Sequence, residues 1–108
     1  MNLQDLLDKQ AEIQKTIYPE FLKQTQEKCL QDTIKYIIHE LIEVERETNF
    51  KHWKKYVPVD EEKVENELVD VFIFFMNALN ISDMGEAELF FRTELKQKIN
   101  IDRQKNGY

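Results

Sequence analysis

The chain has 108 residues, of which 33% are charged and 42% hydrophobic, and a formal net charge of −6. These figures describe one folded, soluble domain, long enough for a core and short enough that further copies would help to cover it. The acidic balance argues against polymeric nucleic acid, which needs a basic face, and leaves room for a small anionic ligand brought in with a cation.

Two glycines and two prolines leave little material for tight turns, and Leu, Glu, Lys and Gln dominate, so the expected fold class is all-α. The single cysteine, Cys29, rules out an intramolecular disulfide and fits a reducing cytoplasm. The first ten residues lack the basic and apolar regions of a signal peptide. No stretch approaches the roughly 20 apolar residues of a membrane helix.

In chain order the periodicity predicts four helices. Asn2 caps a first helix over residues 3–16, where Leu3, Leu6, Leu7, Gln10, Ile13 and Ile17 recur at helical spacing, and Tyr18-Pro19 stops it. A second helix is expected over residues 20–47, with Ile34, Ile37, Ile38, Leu41 and Val44 as its apolar stripe. Residues 48–59 (TNFKHWKKYVPV) break the periodicity and mix aromatics, lysines and a proline, which suits a loop that meets a ligand. Asp60 is a fair N-cap for a third helix over residues 61–81. Asp83 and Glu86 have capping-box spacing for a fourth helix, which runs to about Arg103 and is closed by Asn106-Gly107.

Two pairs of acids stand out, Glu40/Glu43 on the second helix and Glu67/Asp70 on the third. Residues three apart share a helix face, so each pair can aim two carboxylates at one object, and four such groups suit a hard cation. Asp70 sits in LVDVFIFFMNAL, where apolar side chains surround almost the whole helix and predict that it is buried between partners. A buried carboxylate needs either a Lys or Arg partner or a metal ion shared with other acids. His39-Glu40-Leu41-Ile42-Glu43 lacks the second histidine of a zinc helix, so His39 is not assigned as a ligand.

On the fourth helix Arg92, Lys96, Asn100 and Arg103 step by four, four and three. They form one cationic and amide stripe, beside a packing face of Phe91, Leu95 and Ile99. Such a stripe suits phosphate oxygens and equally suits an ordinary solvated face.

Glu-x-x-Glu, a loop, then Glu-x-x-Asp opening an apolar helix resembles the all-α NTP pyrophosphatase superfamily, the MazG-like and dimeric dUTPase group. The tail Lys96-x-x-x-Asn100-x-x-Arg103-Gln104-x-x-Gly107-Tyr108 resembles the phosphate motif of the dimeric dUTPases. Phe50-Lys51-x-Trp53-Lys54 resembles the loop after their first acidic pair. The resemblance implies a single four-helix domain over residues 1–108, completed by oligomerisation as a dimer or tetramer. Its implied reaction is Mg²⁺-dependent, with Mn²⁺ as a substitute: NTP + H₂O → NMP + PPi, with dUTP as the first substrate.

By the same resemblance Glu40, Glu43, Glu67 and Asp70 hold the metal, and Glu43 doubles as the base. Lys96, Asn100, Arg103 and Tyr108 hold phosphates, while Gln10 and Trp53 lie near the base or sugar. The sequence departs from the dimeric dUTPases in two places: 25 residues separate Asp70 from Lys96, the shorter MazG-like layout, and the family's Asn three residues after Gln10 is Ile13. Another base specificity, or a non-catalytic helical module whose acids form ion pairs, therefore stays open. No polymeric nucleic acid or membrane partner is expected.

Overall fold

The structure is a computed structural model and describes residues 1–107. Among these residues the architecture is all-α: α1 (Leu3–Ile17), α2 (Gln26–Arg46), α3 (Glu61–Ile81) and α4 (Glu86–Lys105), with a 3-10 turn at Phe21–Lys23. No single helix is long and apolar enough to cross a membrane.

Local chemistry sets three of the four helix starts. Asn2 and Asp5 form a reciprocal capping box at α1, and the Asp60 side chain accepts from the Lys63 N–H at α3. The expected start of the second helix at residue 20 is corrected. Phe21 is buried in the 3-10 turn, and the Thr25 hydroxyl accepts from the Lys28 N–H, so α2 begins at Gln26. The expected Asp83–Glu86 capping box is also absent: Gly85 is the cap residue and contributes no side chain. Instead Gln4 Oε1 accepts the Glu86 N–H at 2.9 Å, and the Glu86 carboxylate accepts the Leu3 N–H at 3.0 Å. The starts of α1 and α4 cap each other. At the far end Gly107 has φ 75°, a left-handed stop.

The α2 and α3 helices pack along each other as an antiparallel pair, joined by the loop, and α1 lies against α3. The small core is Leu7, Met76 and Leu79, lined further by Leu3, Leu6, Ile73, Met84 and Leu89. Cys29 is buried, its thiol donating to the Phe21 carbonyl at 3.2 Å, a structural role that matches its free state. α4 leaves α3 at 104° and so does not cover it. The expectation that α3 is buried on all sides fails within one chain: Leu68 is 50% exposed and Val69 55%, and Phe72, Phe75 and Asp70 are exposed as well. Apolar periodicity showed that the helix needs cover; it did not show that α1 and α2 supply only part of it.

Candidate active site

α2 brings Glu40, and α3 brings Glu67 and Asp70, to one place in the groove between them. One carboxylate oxygen from each lies within 4.8 Å of the others. None of the ion pairs among the described residues engages these three acids. The ion pairs found among the described residues thus give Asp70 no lysine or arginine partner. Glu43 stands one turn along α2, half exposed and 3.7 Å from the Arg46 guanidinium. Its charge still reaches Glu40, whose carboxyl is raised above the ordinary range by loss of water, then by Asp70, Glu67 and Glu43. Three uncompensated carboxylates at this spacing have the donor chemistry of a hard divalent cation.

A cavity of about 480 Å³ opens beside the acids in the same groove, its walls including Gln10, Ile13, Tyr36, Ile73, Phe74 and Asn77. The helix register puts it there. Tyr36 lies four residues before Glu40 and Phe74 four after Asp70, so each is one turn from an acid on the same face. Their rings meet at 5.7 Å between centroids. One turn further, Gln10 Nε2 donates to Asn77 Oδ1 at 3.1 Å, and both side chains are buried. Sequence reasoning did not place Tyr36, Phe74 and Asn77 in the site, because pairing them requires the register between α2 and α3.

On the other side of the acids the loop after α2 encloses a basic cavity of about 410 Å³ lined by Arg46, Lys51, Lys54, Lys55 and Lys63 among others. Asn49 shapes this loop, its amide donating to the Val57 carbonyl at 2.8 Å and accepting from the Val57 N–H at 2.9 Å. Trp53 is 79% exposed and lines neither cavity. Lys96 and Asn100 lie apart from the acids, along a cavity with Phe75, Leu79, Met84 and Leu89. Arg103 follows them on α4, and Tyr108 falls outside the described residues. His39, Glu45 and Asn66 are exposed.

Four helices, with Glu40 on α2 meeting Glu67 and Asp70 on α3 across an antiparallel groove, define the class first: an all-α bundle built around an acidic groove. Residues 2–94 match the family described as dUTPase, and the chain belongs to that family. Among curated proteins it is 31% identical to the dCTP pyrophosphatase of Enterobacteria phage T4, over 77% of this chain. The chain spans 58% of that relative's length. No solved structure matches it.

Proposed function

We propose that the protein is a Mg²⁺-dependent nucleoside triphosphate pyrophosphohydrolase of the cytoplasm, acting first on dUTP to give dUMP and pyrophosphate. The observation that carries this reading is the meeting of Glu40, Glu67 and Asp70 within 4.8 Å, one helical turn from an aromatic and amide cavity. Family membership and the named relative support it, and both names refer to pyrimidine deoxynucleotides.

A triphosphate brings about four negative charges to a site already lined with carboxylates, so the two repel without a cation between them. Glu40, Glu67 and Asp70 would hold Mg²⁺, or Mn²⁺ in its place, which would supply that positive charge and lower the pKa of a bound water. Glu43 orients the attacking water and accepts its proton as the new P–O bond forms and the bond to pyrophosphate breaks. Lys96, Asn100 and Arg103 stabilise the departing pyrophosphate once a second copy carries α4 to the site. The open apolar face of α3 supports a homodimer or tetramer for that reason. Gln10 meets the base, and Trp53 reaches it only if the loop closes.

A broader specificity is the second reading. It is favoured by the short MazG-like spacing between Asp70 and Lys96 and by the phage dCTP pyrophosphatase. Pyrophosphate release from a panel of dNTPs and NTPs, with Mg²⁺ and with EDTA, decides between the two. We expect metal-dependent release, lowered about 10²- to 10⁴-fold in Glu43→Gln with the fold intact. Full turnover in Glu43→Gln would exclude this mechanism.

A further inference from the structure

We propose that Gln10 and Asn77 together read the hydrogen-bonding edge of the base, and that the pair accepts both uracil and cytosine by turning over as a unit. The proposal rests on the nucleotide pyrophosphohydrolase reading above and assigns Asn77 as a specificity-determining residue of that site.

Gln10 is 8% exposed and Asn77 7%. Their mutual hydrogen bond uses Gln10 Nε2 and Asn77 Oδ1. Gln10 Oε1 and Asn77 Nδ2 then have no hydrogen-bond partner among the described residues. No fully buried side-chain nitrogen or oxygen among those residues lacks a partner, so both of these atoms are reachable from outside. The space that the two residues share is the cavity with Tyr36 and Phe74. Ile13, Ile17, Phe21 and Ile73 make most of that wall apolar; Gln14, Tyr18 and Thr33 also line it, the Thr33 hydroxyl donating to the Cys29 carbonyl. One acceptor and one donor thus stay unmatched on two buried residues that border a mostly apolar, aromatic cleft, where leaving them so is costly and a base edge matches both.

The position fits a nucleotide. From Glu40 to Thr33, and from Asp70 to Asn77, is seven residues of helix, about 10 Å at 1.5 Å per residue. A base beside Asn77 therefore leaves its phosphates near the acids. The Tyr36 and Phe74 rings lie between the two points and offer a face to the base or sugar.

The polarity of the pair is reversible. Turning both carboxamides over keeps one hydrogen bond between them, now from Asn77 Nδ2 to Gln10 Oε1, and leaves Gln10 Nε2 and Asn77 Oδ1 facing outward. Donor and acceptor have exchanged places. Uracil presents N3–H beside the O4 acceptor, and cytosine presents the N3 acceptor beside its amino group, so each orientation suits one of the two bases. No third side chain bonds to either amide, and so none fixes the choice.

The test uses the wild type, Asn77→Leu and Asn77→Ser with three substrates: dUTP, dCTP and 2-deoxyribose 5-triphosphate, which lacks a base. A reversible pair predicts wild-type kcat/KM values for dUTP and dCTP within about tenfold of each other, where a site of fixed polarity separates such substrates by about 10⁴. Asn77→Leu should lower kcat/KM at least about tenfold for both nucleotides, mainly through KM, and leave the base-free substrate within about twofold. Asn77→Ser should do the same and serves if the leucine variant does not fold. A wild-type preference beyond about a hundredfold overturns the reversible pair. Unchanged nucleotide kinetics in both variants, or an equal loss on the base-free substrate, overturns Asn77 as a base reader. Pyrophosphate release from no substrate at all, even by the wild type with Mg²⁺, overturns the pyrophosphohydrolase reading itself, and this proposal with it.

Discussion

Three like charges bear on Glu40, and its environment makes the metal-free site respond to pH. Loss of water and the neighbouring Asp70, Glu67 and Glu43 raise its carboxyl above the ordinary value of 4.5. An acid with a raised pKa in the folded state binds its proton more tightly folded than unfolded. Its stabilising contribution is full below 4.5 and is lost as pH rises through the raised value. In EDTA, Glu40→Gln should therefore gain melting temperature relative to the wild type as pH rises through that window. Millimolar Mg²⁺ at neutral pH should reverse the order, because only the wild type keeps the full ligand set. Asp70→Ala should likewise raise the metal-free melting temperature and abolish the response to Mg²⁺. A constant difference across the pH range, unaffected by Mg²⁺, would mean that these carboxylates do not share a site. The acids themselves were legible, because spacing by three is a statement about one helix. The exposure of Asp70 was not, because it depends on how many neighbours one chain supplies.

At the scale of elements, the ends that could be read from the sequence are those whose caps are local. Asn2 and Asp60 lie beside the turns they cap. The start of α4 is different, since its partner Gln4 is 82 residues away and no pattern around Glu86 reveals it. Gln4→Ala should cost about 1 kcal/mol, a typical lost cap, and speed amide exchange in the first turn of α4. Gly85 contributes to the same contact, since a Cβ there would sit 2.9 Å from Gln4 Oε1. The end of a flexible side chain moves away easily, so Gly85→Ala should cost chiefly the cap. Adding it to Gln4→Ala should then cost little more, and full additivity in denaturant melts would show that the two act separately. The cavity is the harder case. Tyr36, Phe74 and Asn77 each follow helical spacing from an acid, yet only the register of α2 against α3 makes them one wall.

For the whole molecule, the proposed mechanism draws on two places that one chain keeps apart. The acids lie in the groove of α2 and α3, while Lys96 and Asn100 lie on α4 beside a separate cavity. α4 diverges from α3 by 104°, and its Phe90, Phe91 and Leu95 are exposed, as are Leu68, Val69, Phe72 and Phe75 on α3. Exposed apolar surface on both helices is what a second copy would cover, and its own α4 would then approach the first copy's acids. The consequence can be tested by mixing inactive variants. On the proposed mechanism Glu43→Gln would lack the base and Lys96→Ala would weaken the phosphate contact, so each homo-oligomer should be impaired. If every site takes its acids from one copy and its lysine from the other, a mixed dimer contains one site with both residues intact. Random exchange makes half of the dimers mixed, so refolding the two variants together should restore about a quarter of wild-type turnover. If one chain supplied both residues, mixing would restore nothing. Phe72→Asp provides the matching control. A charge on the open face should shift the protein toward monomer in sedimentation, and turnover should fall with the loss of assembly while each chain keeps its helical content.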